Sequence, residues 1–323
     1  MDFNFPTRQD LLDAHARIKP FIHRTPIMSS RQINRMVGAE VYFKCENFQK
    51  MGAFKMRGAS SAITNLTEQE RMRGVVTHSS GNFAQALSLS ASLMECTAHI
   101  VMPENAPSVK KEAVRGYGGN IIESESTPVA REQMAEKVKQ ETGATFIHPS
   151  DDPHVINGNA SAAIEFLEDI KNVDILMAPV GGGGLIAGTA MAAHYFSPET
   201  TVIGAEPSGA DDAYRSKRDG VIYPSENPQT VCDGLRTNLG VWNFPIIQKY
   251  VDQIIRVEDK ETIRALKLIY ERMKIIIEPS CSIVLAAIMT RPELFANKRV
   301  GVIISGGNVD FLAIAELFKQ LDR

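Results

Sequence analysis

Apolar positions along this chain fall into two alternating kinds of run. Short runs rich in Val, Ile, Leu and Met occur at VVTHS (75–79), AHIVM (98–102), VDILMAPV (173–180), TVIGAE (201–206) and RVGVIIS (299–305). They lack a polar alternation, which predicts strands buried on both faces. Each is followed by Gly, Ser, Asn or Pro and then by helix-period sequence, as in NFAQALSLSASLM (82–94) and GLIAGTAMAAHYF (184–196). Strand, small-residue turn and helix in repetition are the signature of right-handed βαβ units in a doubly wound α/β fold. Nearer the N-terminus, a helix is predicted to start after Thr7, with Asp10 three residues on giving a capping-box-like start. A second helix is predicted from Ser29 to a stop at Gly38. No internal repeat, low-complexity tract or long linker interrupts the pattern.

Composition narrows the class. A chain of 323 residues is long enough for a large core and suggests two lobes. A net charge of −3 gives no electrostatic argument for nucleic acid or an anionic membrane. No apolar run approaches the roughly 20 residues needed to span a bilayer. The opening MDFNFPTRQDLL lacks the basic-then-apolar pattern of a signal peptide. Cys45, Cys96, Cys232 and Cys281 are scattered, with no CxxC pair, and read as reduced thiols of a cytoplasmic protein.

Four stretches carry candidate chemistry. Gly181, Gly182, Gly183 and Gly184 lie between a buried strand and a helix. Successive residues without side chains let backbone N–H groups converge on an anion such as phosphate, helped by the helix dipole. The spacing fits neither a dinucleotide fingerprint nor a Walker loop, and a tight structural turn is the alternative. Ser79, Ser80, Gly81 and Asn82 occupy the equivalent turn after 75–79 and suit a carboxylate ligand; plain helix N-capping is the alternative. ENFQKMGAFKMRGA (46–59) holds Phe54 and Lys55, and a lysine in a desolvated cleft has the lowered pKa that Schiff-base chemistry needs. Composition alone does not choose Lys55 over Lys50, and most lysines are solvated. Finally, Ser305 in IISGGNVD (303–310) sits at a strand's carboxyl end, where ligands of open α/β sheets bind.

Taken in this order, the four stretches resemble the fold-type II pyridoxal-phosphate (PLP) enzymes, and most of all the serine/threonine dehydratase and serine racemase family. The resemblance covers essentially the whole chain. It implies a two-lobed α/β fold, each lobe an open, twisted, mostly parallel sheet flanked by helices. Residues 1–73 and 150–323 would form the large cofactor-binding domain and 74–149 a small mobile one, since a new βα run begins near Val75 and ends near Pro149. It places the PLP Schiff base on Lys55, the phosphate on Gly181–Gly184 and the pyridine nitrogen on Ser305, with Phe54, Asn82 and Glu278 near the cofactor. The amino-acid substrate would be held by Ser79, Ser80, Gly81, Asn82 and Thr237, with Arg131 near the entrance. Ser80 matches the serine that faces Cα opposite the lysine in the racemase-like branch. AEPSGADDAY (205–214) resembles that branch's divalent-metal site, which would draw carboxylates from Glu206 and Asp212 and a backbone carbonyl from Ala210 for Mg²⁺ or Ca²⁺; an acidic helix start is the alternative. A homodimer is implied in the same way.

The activity so implied is ammonia loss from serine or threonine to give a keto acid, with serine racemisation as a second outcome. Two departures bear on substrate. Phe83 stands where many members of the family have His. Arg236, in VCDGLRTNLG (231–240), is either a solvated loop charge or a partner for a second substrate carboxylate, which would favour L-threo-3-hydroxyaspartate. A non-catalytic PLP-binding protein is the reading from another class; the intact Lys55, Ser80, glycine loop and Ser305 argue against it.

Overall fold

A computed structural model describes residues 3–319 and Leu321. Among these described residues ten strands form two sheets: β1 (Ile27–Ser29), β2 (Glu40–Cys45), β3 (Val75–His78), β4 (Ala98–Pro103), β5 (Asn120–Ser124), β6 (Thr145–Phe146), β7 (Ile175–Pro179), β8 (Thr201–Pro207), β9 (Gln253–Val257) and β10 (Arg299–Ile304). The larger sheet runs β1-β2-β10-β7-β8-β9, and the smaller β5-β4-β3-β6. Every pairing is parallel except β1 with β2. The five runs predicted as strands are β3, β4, β7, β8 and β10, each shifted by no more than two residues at an end. All five residues of β7 are buried, as are five of the six in β10, which follows from helices covering both faces.

The strands not anticipated are short or mixed. β2, EVYFKC, carries Lys44 inside the protein, and β5, NIIES, is an exposed edge. The first helix (Arg8–Ile18) is capped as expected: the Thr7 hydroxyl accepts from the Asp10 N–H, and the Asp10 carboxylate accepts from the Thr7 N–H. The second corrects the expected start. Ser29 ends β1, Ser30 is the cap, and the helix spans Arg31–Val37 before Gly38 turns left-handed at φ 68°.

Two helices carry the lysine segment into place. Lys55–Thr64 crosses Pro153–Asp169 so closely that a Cβ on Gly158 would lie 2.4 Å from the Arg57 carbonyl oxygen. The crossing is cemented by charge. Arg57, fully buried, donates to Glu46 and Glu165, and Lys44 donates to Glu165 at 2.6 Å. Burial opposes the Arg57 charge, but Glu46 and Glu165 outweigh it and raise its pKa. Two cations and two anions thus neutralise one another inside the protein.

Candidate functional site

The carboxyl ends of three strands and one loop converge. β10 pairs with β7 on one side and β2 on the other, so Ser305 after β10, the glycine loop after β7 and Glu46 after β2 emerge side by side. Phe54 donates its N–H to the Ser305 carbonyl at 2.9 Å, and Gly307 donates to the Gly52 carbonyl at 2.9 Å. Those bonds seat Lys55 beside Ser305 although 250 residues separate them in sequence.

Lys55 opens its helix, half-buried, with its ammonium 5.1 Å from the Phe54 ring centroid and 5.6 Å from that of Phe83. The ammonium donates to the Pro149 carbonyl at 2.7 Å. Desolvation by these walls lowers its pKa to about 8, with the Glu278 carboxylate pulling the other way. Phe83 therefore adds an apolar wall beside the lysine instead of a polar group. Lys50, by contrast, lies in the 3-10 turn Lys50–Gly52 that precedes this helix.

Glu278 caps the helix Pro279–Thr290. Burial raises its pKa to about 7, against the Asn82 amide, which donates to both carboxylate oxygens at 3.1 Å. The Asn82 carbonyl in turn accepts from Asn308 at 2.8 Å. Asn82 is thus not a simple cap: its helix (Asn82–Leu93) has no side-chain cap, and Gly81 precedes it. Ser79 accepts from the Gly81 N–H at 3.4 Å, and Ser80 lies half-buried in the same turn.

The glycine loop is packed too closely for side chains. Gly183 has φ 80°, and a Cβ there would lie 2.6 Å from the Asn243 side-chain oxygen. A Cβ on Gly182 would lie 2.4 Å from the Ser150 hydroxyl and 3.0 Å from that of Thr237; one on Gly181 would meet Leu235 Cα at 2.8 Å and one on Gly184 the Ser150 carbonyl at 2.6 Å. Thr237 therefore lies against the loop, and Arg236 between Leu235 and Thr237 stands at its border. The Arg236 guanidinium donates to the Thr230 carbonyl at 2.5 Å. Arg131 is placed on the small-sheet side, where its charge bears on His78 and its Nε is buried without a partner.

Glu206 and Asp212 are both buried away from this cluster. Glu206 accepts from the Ala213 and Tyr214 N–H groups at 2.8 and 2.7 Å, yet burial and then Asp212 push its pKa well above the ordinary range. Burial likewise raises Asp212, with the neighbouring Ser225 hydroxyl and then Arg215 pulling the other way; no hydrogen bond of good geometry reaches either of its carboxylate oxygens. Ala210 is the buried end of the 3-10 turn Ser208–Ala210, two residues before Asp212. Among the described residues, no three His, Cys, Asp or Glu side chains come together as a metal cluster.

Several site residues carried no sequence signal. Cys281 accepts from the Gly306 N–H at 3.0 Å and lies 3.2 Å from the Ser305 hydroxyl, buried, with its thiol pKa raised by that burial. Asp151 accepts from the N–H groups of Val241, Trp242 and Asn243, tying the start of Asn243–Tyr250 to the 148–151 turn. Only a capping motif could have flagged such residues, and Asp151 caps a helix ninety residues away.

Two mostly parallel sheets flanked by helices, with a desolvated lysine beside a strand end, are the fold and chemistry of a PLP enzyme, and comparison with known proteins shows the family. The family described as "Pyridoxal-phosphate dependent enzyme" matches residues 18–306. A beta-hydroxyaspartate dehydratase of Paracoccus denitrificans is 48% identical over 94% of this chain and 97% of its own. A serine racemase of Arabidopsis thaliana is 45% identical over 95% of each. The crystal structure of serine racemase from Dictyostelium discoideum superposes with a TM-score of 0.90 at 46% identity, covering 94% of this chain and 98% of that one. This chain belongs to the pyridoxal-phosphate dependent enzyme family.

Proposed function

We propose that the chain is an ammonia-lyase of β-hydroxy amino acids, converting serine or threonine to a keto acid and ammonia and racemising serine at the same site. The observation that carries the reading is Lys55, an amine of lowered pKa held against the Pro149 carbonyl between two aromatic walls.

The surrounding residues fit the cofactor: the cradle at Gly181–Gly184 is one that any Cβ would fill, and Ser305 offers a hydroxyl at a strand end. In this assignment Lys55 holds PLP covalently, Gly181, Gly182, Gly183 and Gly184 take its phosphate, Ser305 faces its ring nitrogen, and Phe54, Asn82 and Glu278 border it. Bound there, PLP supplies a ring that stabilises negative charge at the substrate Cα. Ser305 is a neutral partner and leaves that ring a milder sink than a carboxylate would. Ser79, Ser80, Gly81, Asn82 and Thr237 grip the substrate carboxylate, with Arg131 at the entrance. Lys55, once free, takes the Cα proton; with its pKa near 8, about a tenth of it is neutral at pH 7, far more than for a solvated lysine. Ser80 returns a proton to the other face when the outcome is racemisation.

A second reading is a 3-hydroxyaspartate dehydratase. Arg236 at the border of the cradle favours it, because a guanidinium there can pair with a second carboxylate. The Paracoccus relative's name points the same way. A divalent cation at Glu206, Ala210 and Asp212 completes the proposal: among the described residues neither of the two buried carboxylates makes an ion pair, and the site is built of hard oxygen donors. Residues 74–149 act as the mobile lobe, closing the cleft against water. The protein acts as a homodimer, for which exposed Phe48, Ile276 and Phe311 along one groove offer an apolar face. Four free cysteines suit the cytoplasm; among the described residues no helix is long and apolar enough to cross a membrane.

The test is to offer L-serine, D-serine, L-threonine and L-threo-3-hydroxyaspartate to the PLP-loaded protein with Mg²⁺ and to measure keto acid, ammonia and chirality. Keto acid from serine or threonine, lost in Lys55→Ala, is expected. Turnover of hydroxyaspartate alone, lost in Arg236→Ala, would replace the first reading by the second. No Lys55-dependent product from any of them would refute both.

A further inference from the structure

The segment between the two sheets contains a histidine for which the proposed chemistry has no use. Ile147 is still tied to the small sheet: its N–H donates to the Val76 carbonyl and its carbonyl accepts from the Thr77 hydroxyl at 2.8 Å. From Asp152, which caps Pro153–Asp169, the chain belongs to the large sheet's helices. The crossing is made by His148, Pro149, Ser150 and Asp151. Each has a task on the site side. Pro149 offers its carbonyl to Lys55, Ser150 packs on Gly182 and Gly184, and Asp151 ties down 241–243.

His148 joins the two ends of this crossing. Its ring belongs to a cluster with His78 and Phe146, with centroids at 6.0 and 6.4 Å, which anchors it on the small sheet. Its Nδ1 accepts from the Ser150 N–H at 3.2 Å and the Asp151 N–H at 2.8 Å. Two N–H groups aimed at one ring nitrogen require that nitrogen to be bare, so the proton resides on Nε2. A protonated ring would set N–H against N–H and release the turn.

We propose that His148 is a positioning residue for Lys55: its bare Nδ1 locks the 148–151 turn, and the locked turn aims the Pro149 carbonyl at the lysine ammonium. The inference rests on the reading of Lys55 as the cofactor lysine. Pro149 lies between the ring fixed to the small sheet and the turn fixed to the large one, so the position of the small lobe is felt at Lys55 through this carbonyl. The groups facing His148 are His78 on β3, itself near Arg131 and Glu132, and Lys55 on its helix; those facing Lys55 are Glu278, His148 and the Phe54 and Phe83 rings. Burial, then His78 and Lys55, lowers the His148 pKa to about 4, which keeps Nδ1 bare at any pH where Lys55 titrates.

The test follows PLP capture by the apoprotein, read as the growth of bound-cofactor absorbance, from about pH 6 to about pH 10. The wild-type rate should rise with a midpoint near the Lys55 pKa of about 8. In His148→Ala the ammonium loses its aimed carbonyl, the charged form is less favoured, and the midpoint should fall by about one pH unit. In His148→Asn the side-chain carbonyl can accept from the same turn, and the wild-type midpoint should largely return. An unmoved midpoint in His148→Ala, or an equal shift in His148→Asn, would overturn the proposal. Should His148→Ala fail to fold, nitrogen-15 NMR of the wild-type histidines decides: a bare Nδ1 on His148 supports the lock, and a protonated one overturns it. Capture that survives in Lys55→Ala with an unchanged midpoint would instead remove the lysine assignment itself.

Discussion

At the scale of single residues, the motifs were legible where chemistry demands a fixed residue type, and silent where geometry does the work. The glycine loop could be read because four successive glycines have few other uses, and the clashes awaiting any Cβ there give the reason. Gly182→Ala should therefore raise the PLP dissociation constant by about tenfold or more, measured by equilibrium dialysis, while circular dichroism stays that of the folded protein. Cys281 was invisible for the opposite reason. A cysteine has many bland uses, and its contact with the Ser305 hydroxyl appears only when β10 and the helix Pro279–Thr290 are packed. If Ser305 faces the cofactor ring, Cys281→Ala should shift the bound-cofactor absorption maximum, and that shift should vanish when Ser305→Ala is added. A shift that persists undiminished in the double variant would assign Cys281 to packing alone.

At the scale of elements, period and length were reliable for the buried strands and helices, and charge was misleading. Arg57 follows the lysine motif and reads as a surface residue, as most arginines are. Its partners Glu46 and Glu165, and the Lys44 that shares Glu165 with it, sit on the turn after a strand, on a distant helix and on that strand, so no local pattern betrays the cluster. β2 went unrecognised on the same account, since its buried lysine spoils an otherwise apolar run. Removing one member leaves the others buried and unbalanced. Arg57→Ala should thus lower unfolding free energy by about 3–5 kcal/mol in urea titration. A loss below about 1 kcal/mol would mean that the cluster does not hold the lysine helix.

At the scale of the whole molecule, the alternation of strands and helices was enough to foresee a doubly wound α/β fold, and the family resemblance, with the chain's length, implied its division into two mostly parallel sheets. The four strands of the smaller sheet all lie between residues 75 and 146. What the pattern could not convey is how the sheets are coupled, since that depends on the conformation of the return crossing at 148–151 and on contacts such as Lys110 with Asp233 at 3.3 Å. The acidic pair belongs to this scale too, because a cation there would brace the end of β8 against the helix Asp212–Asp219. Mg²⁺ should raise the melting temperature by several degrees and a chelator should reverse it, through preferential binding to the folded state. Glu206→Gln with Asp212→Asn should abolish the response. An equal response in that double variant would place the cation elsewhere.

The central claim is that Lys55, and no other lysine, carries the cofactor. The most direct measurement is to reduce the PLP-loaded protein with borohydride, digest it and locate the added pyridoxyl mass. The account predicts the label on the peptide containing Lys55, in stoichiometric amount. A label on Lys50 or on any other lysine, or no label on a protein that binds PLP, would contradict it.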